Sequence, residues 1–166
     1  MPELMAKKQR VASTPATVAL SRAGISFEVH AYEHDPQAES YGEEAARALG
    51  LDPARVFKTL FVSLDRRLCV GIVPVTSRLD LKAVAAALGG KAAAMADPAD
   101  AERASGYVVG GISPIGQRRQ HPTVLDDSAP GFSTVFVSGG RRGLEVELRP
   151  GDLVAMTSAV TAPIRR

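Results

Sequence analysis

The chain has 166 residues, 45% of them hydrophobic and 23% charged, with a formal net charge of +2. That length suits one domain with a proper core and is short for two. The near-neutral balance argues against wholesale coating of nucleic acid, yet arginine doublets at 66–67, 118–119, 141–142 and 165–166 leave solvated loops or local basic patches open.

The single cysteine, Cys69, excludes an internal disulfide and sits in the apolar run LCVGIV, where it reads as a small core residue. No apolar run approaches the ~20 residues of a membrane span, and the start MPELMAKKQR lacks the apolar stretch of a signal peptide. A cytoplasmic protein is expected. Residues 1–12 read as a flexible arm preceding one folded unit over 13–166.

In chain order, Thr14 and Pro15 start a short helix that ends at Gly24. ISFEVHAY then alternates like a strand. Ser40 and Glu43 have capping-box spacing at the head of a second helix, which Gly50 stops. RVFKTLFVSL and LCVGIVPV, joined by DRR, predict a hairpin. Asp80 caps a third helix, closed by Gly89 and Gly90. KAAAM reads as a short strand, and Pro98 lies in the first turn of a fourth helix. Strands follow around 107–110, 123–126, 133–138 and 143–148. A helical turn at PGDLVAM and a last strand at 159–164 complete the chain. The mixture lacks strict βαβ alternation. It predicts an α+β fold around a mixed, strongly curved, barrel-like sheet.

Two stretches carry candidate chemistry. In YVVGGISPIGQRRQHP, Gly111 to Gly116 has the spacing of a phosphate loop. Gln117 and Arg118 stand where that motif needs lysine and a hydroxyl, so nucleoside triphosphate binding is not expected. The glycine pair Gly110–Gly111 still allows backbone amides to converge on an oxyanion; a plain turn reads equally well. In VFKTLFVSL, Lys58 shares a strand face with Val56, Leu60, Val62 and Leu64. It is either a cation in a lined cavity or an edge-strand lysine reaching to water. His30, His34 and His121 have no metal spacing, no nucleophile elbow is present, and YEHD at 32–35 fits a turn as well as an acid/base cluster. No metal or other cofactor is expected.

YEHD, RVFKTL, LDLKAVAAALGGKAAAMADP, GYVVGGISPIGQ and VSGGRRGLEVEL, in this order, resemble the YbaK family of aminoacyl-tRNA deacylases. That family is related to the editing domain inserted in bacterial prolyl-tRNA synthetases. The resemblance runs from about Thr14 to about Ala162; each motif alone is weak and the ordered set is specific. It implies a pocket for the 3′-terminal aminoacyl adenosine. Lys58 is the residue the family needs most, with Gly110 and Gly111 as the amide loop. Tyr32, Tyr41, Thr59, Ile112, Ser113, Ser138 and Glu145 are implied as pocket residues. Tyr41 stands where the family often has phenylalanine, and Glu145 where it has aspartate.

The implied activity is discharge of cysteine from Cys-tRNA(Pro), or Cys-tRNA(Cys), with the substrate's own thiol attacking the ester. A transient complex with prolyl-tRNA synthetase is implied as well. The two departures keep open a deacylase for another small residue such as alanine. A non-catalytic tRNA- or synthetase-binding module is the other alternative.

Overall fold

The computed structural model describes residues 13–166; the arm expected over 1–12 lies outside them. Helix α1 (Pro15–Arg22) begins with a reciprocal cap. The Thr14 hydroxyl accepts from the Thr17 N–H, and the Thr17 hydroxyl accepts from the Thr14 N–H. Two otherwise orphaned donors are thereby satisfied. The remaining elements are β1 (Glu28–Ala31), α2 (Tyr41–Leu49), β2 (Phe57–Leu64), β3 (Arg67–Pro74), α3 (Leu81–Leu88), β4 (Ala93–Met95), α4 (Pro98–Ser105), β5 (Thr123–Asp126), β6 (Val135–Ser138), β7 (Leu144–Leu148), α5 (Pro150–Thr157) and β8 (Val160–Ala162).

The β2–β3 hairpin turns on Asp65 and Arg66, with φ of 49° and 68°. Two successive left-handed residues match the right-handed twist of the flanking strands. The Asp65 carboxylate holds the turn by accepting from the N–H groups of Lys91 and Ala92, at 3.0 and 2.8 Å.

The fold is mixed α+β, as the sequence predicts, but the strongly curved, barrel-like sheet is not found. Two open sheets stand in its place, in the orders β1-β7-β6 and β4-β2-β3-β5-β8. The reason lies on the outer edge of β2. There β4 pairs with Val62–Leu64 only, and β6 touches at a single bridge, Val56 to Phe136. Side chains make the remaining connection. Arg55 donates to the Thr134 carbonyl at 3.0 Å and lies 3.6 Å from Glu147 of β7. At the far end, three-residue β8 leaves a second open edge.

Both sheets contribute to one core. Phe57, Phe61 and Ile72 meet Val137, Val146 and Leu148, with Leu20, Ile115 and Leu153 filling the space between elements. A second cluster under α3 holds Val62, Leu64, Cys69, Val84, Val124 and Ile164. Fully buried Asp126 fastens the chain end there, accepting from the N–H groups of Ile164 and Arg165 and from the Arg165 guanidinium. Those bonds draw Ile164 out of the last strand, which is shorter than expected.

The strand expected at 107–110 is a turn. The Gly111 N–H closes it on the Val108 carbonyl at 2.8 Å. The Val109 N–H is taken by the Glu102 carboxylate at 2.8 Å, so no ladder can form. The apolar run YVV imitates a strand, but Val108 is exposed and only Tyr107 joins the core.

Candidate active site

The gap between the sheets is a cavity of about 360 Å³. Its floor is the unpaired edge of β2, from Phe57 to Phe61. Antiparallel alternation sends the backbone groups of Phe57, Thr59 and Phe61 to the edge away from β3. The Phe61 carbonyl accepts from Ala96, which leaves the Thr59 groups facing the opening. The walls are Ser40–Gly42 at the head of α2, Met95, Ala96, Pro98 and Ala101 at the entry to α4, and Val109, Gly110 and Ile112 of the glycine loop. Ser138 of β6 and Glu145 of β7, cross-strand partners, close the back.

Lys58 lines this cavity half-buried, and no carboxylate pairs with it among the described residues. Burial pulls its pKa below the ordinary lysine value; Glu43 opposes the shift and Arg78 adds to it. The cation is therefore held at the opening without an internal partner. Two further polar atoms are buried there without a hydrogen bond, Thr59 Oγ1 and Glu145 Oε2. Unpaired buried polar atoms cost stability, and a cavity that presents them to a ligand recovers that cost on binding.

Glu145 is 6% exposed, and desolvation raises its pKa to about 8. It is a neutral acid at pH 7, able to donate a hydrogen bond. The stability consequence has a definite sign. Between pH ~4.5 and ~8 the unfolded chain releases this proton and the folded chain keeps it, so stability falls as pH rises through that window. Melting temperatures of wild type and Glu145→Gln across pH 5–9 should therefore diverge, the wild type losing on the order of a few kcal/mol relative to the variant. Parallel curves would show that the carboxyl ionises freely in the fold.

The glycine loop is held from three sides. Glu102 takes the Val109 N–H, the Arg142 guanidinium donates to the Val109 carbonyl at 2.9 Å, and the Tyr107 hydroxyl donates to the Ile115 carbonyl at 2.7 Å. Gly110 has φ of 89°, and a Cβ there would lie 2.6 Å from the Tyr41 ring. Gly111 lacks room for another reason: a Cβ would meet the Arg141 backbone at 2.7 Å. Its N–H is spent on the turn, so it is not a free donor. Among the described residues the N–H groups of Gly110 and Ile112, both in the cavity lining, have no hydrogen-bond partner.

Seven of the ten expected residues thus line one cavity: Lys58, Thr59, Tyr41, Gly110, Ile112, Ser138 and Glu145. Gly111, Ser113 and Tyr32 are not in the lining. Ser113 is fully buried, its hydroxyl accepting from the Ile115 N–H at 3.2 Å. Tyr32 follows β1, its N–H donating to the Gly143 carbonyl at 2.9 Å. Burial, together with the charges of Glu145 and Glu44, pushes its hydroxyl up to about 12. His34 and Asp35 of YEHD both bind Glu44, each at 2.7 Å, and anchor α2. The apolar lining from Phe57, Phe61, Met95 and Pro98 has no sequence signal that separates it from core. Among the described residues no cysteine or histidine lines the cavity. Cys69 lies in the second core cluster, and burial raises its thiol to about 11.

Residues 35–156 match the model of the aminoacyl-tRNA editing domain. The chain belongs to that family. Across 162 residues this editing domain is 34% identical to the "Putative Cys-tRNA(Pro)/Cys-tRNA(Cys) deacylase EbsC" of Enterococcus faecalis, covering 96% of this chain and 98% of that protein. A solved structure described as "a putative trans-editing enzyme for prolyl tRNA synthetase" superposes with a TM-score of 0.81 at 25% identity, over 93% of this chain and 98% of that one. A "hypothetical protein APE2540" shares the fold, with a TM-score of 0.81 at 23% identity, over 92% and 100% of the two chains. The cavity that gathers Lys58 and the unpaired Glu145 falls inside the matched segment. Among the described residues of the editing domain, no helix is long and apolar enough to cross a membrane.

Proposed function

We propose that this editing domain is a trans-editing deacylase that removes cysteine from Cys-tRNA(Pro), and that the substrate's thiol is the nucleophile. The carrying observation is the content of the cavity: a cation, unpaired polar atoms and, among the described residues, neither cysteine nor histidine in its lining. Such a site supplies position and charge and leaves bond-making to the substrate.

In this mechanism the thiol sulfur bonds to the ester carbonyl carbon, the bond from that carbon to the ribose oxygen breaks, and the thiol proton ends on the ribose hydroxyl. The products are a thiolactone and free tRNA; water then opens the thiolactone. Lys58 holds the terminal phosphate and ester. The N–H groups of Gly110 and Ile112 face the developing oxyanion. The likeness to a structure described as acting for prolyl-tRNA synthetase supports a transient complex with that enzyme.

The test is a discharge panel of tRNA(Pro) carrying cysteine, serine, alanine or proline. Serine is nearly isosteric with cysteine, so pocket fit alone supplies about 1–3 kcal/mol, or ~10–200-fold. A thiol is a few per cent thiolate at pH 7, so thiol attack exceeds that margin and accelerates with pH. Alkylating the substrate thiol should stop the reaction, and Cys69→Ser should retain most of it. Undiminished discharge of alkylated substrate would make water the nucleophile.

A further inference from the structure

On the far side of α4 from the cavity lies a larger groove, of about 690 Å³. Three arginines from separate parts of the chain line it: Arg67 at the start of β3, Arg103 on α4, and Arg119 after the glycine loop. All three are exposed. One carboxylate, Asp100, is among the lining residues, and it is paired with Arg103. Arg67 and Arg119 have no ion-pair partner among the described residues. The groove therefore carries excess positive charge on side chains that are free to bind.

Its position matters as much as its charge. Helix α4 presents Pro98 and Ala101 to the cavity, and Asp100 and Arg103 to the groove. The two openings are thus one helix apart, about 10 Å, a distance that a short single strand covers. His121 links them further. It lines the groove, and its ring packs edge-on against Phe61 of the cavity floor, with centroids 5.2 Å apart. Burial and the neighbouring Arg119 hold this imidazole below its ordinary value, so it adds hydrogen bonding and no charge.

We infer that this groove seats the sugar–phosphate backbone of the tRNA acceptor arm, with Arg67 and Arg119 as phosphate contacts that deliver the aminoacyl end to the cavity beyond α4. This rests on the deacylase reading. It accounts for how a nearly neutral domain binds a polyanion: the charge needed is concentrated beside the site. The two unpaired guanidinium groups, Arg67 and Arg119, come from different segments and suit phosphates, which arginine binds bidentately. Such contacts position an RNA without reading its sequence.

The experiment compares wild type with Arg67→Ala/Arg119→Ala on two substrates, full-length Cys-tRNA(Pro) and the cysteine ester of adenosine. Both side chains are exposed, so the variant keeps its fold. The KM for full-length tRNA should rise roughly tenfold at low salt with kcat little changed. The slope of log affinity against log salt should flatten by about 1.5, as expected for two lost phosphate contacts. Turnover of the adenosine ester should be unchanged, and Arg67→Lys/Arg119→Lys should restore most of the salt slope.

Wild-type KM and slope in the alanine variant would overturn the inference. So would an equal loss on the adenosine ester, because the effect would then lie in the cavity. Weakened capture of prolyl-tRNA synthetase with unchanged RNA binding would assign the groove to protein instead. If wild type discharges neither substrate, the deacylase reading fails. Fluorescence anisotropy of uncharged tRNA(Pro) then decides the groove independently, the same variant having to bind more weakly.

Discussion

Lys58→Ala should lower turnover of Cys-tRNA(Pro) by at least ~10²-fold, on the scale of losing one preorganised oxyanion donor. The side chain lines the cavity, has no carboxylate partner in the described fold, and is held below the usual lysine pKa by burial. Its removal therefore breaks no ion pair, and the melting temperature should barely change. Lys58→Met separates charge from packing, since methionine keeps an aliphatic stem. The same loss in both variants shows that the cation is what counts. Single-turnover discharge beside a thermal melt measures both quantities. Near-normal turnover by folded Lys58→Ala removes this residue from the chemistry.

Gly111→Val should abolish discharge to within background, a loss of ~10²-fold or more. Space is the cause. Gly111 has no left-handed backbone, but its missing Cβ would lie 2.7 Å from the Arg141 backbone and 2.8 Å from the Arg142 nitrogen. Neither backbone atom can give way as a flexible side chain could. Valine therefore pushes two segments apart. One carries Gly110 and Ile112; the other carries Arg142, whose guanidinium holds the Val109 carbonyl and lies 5.2 Å from the Tyr41 ring centroid. Overpacking of this kind costs about 1–3 kcal/mol of stability. Circular dichroism should thus show a folded, somewhat weakened protein with no activity. Normal rates would make the loop a mere connector.

Much of this was legible in the sequence because it is local. Thr14, Ser40 and Asp80 announce their helices by capping chemistry, and the hairpin around Asp65–Arg66 follows from two apolar runs and a polar turn. Lys58 stands out because a lysine in an apolar strand demands an explanation. What escaped depends on distant pairing. Nothing near Phe57–Leu60 says that this edge stays open, because the decision rests with short β4 and with β6 meeting at one bridge. Strand content alone reads as a barrel-like sheet. The turn at 107–110 was hidden for a similar reason. Its amides are claimed by Glu102 and by the Val108 carbonyl, and hydrophobic pattern carries no record of either. Which loop amides stay free, Gly110 and Ile112 and not Gly111, is likewise a fact of geometry.

Cys69 is the chain's only cysteine, and it is enclosed in the core with a thiol that burial keeps protonated. Thiolates and exposed thiols are what air and disulfide reagents attack. Aerobic storage therefore leads neither to mixed disulfides nor to cross-linked dimers of the native protein. Among the described residues the most exposed sulfur is the thioether of Met95, at the cavity wall. A reductant added to an assay with the proposed Cys-tRNA substrate protects that substrate's thiol and leaves buried Cys69 untouched.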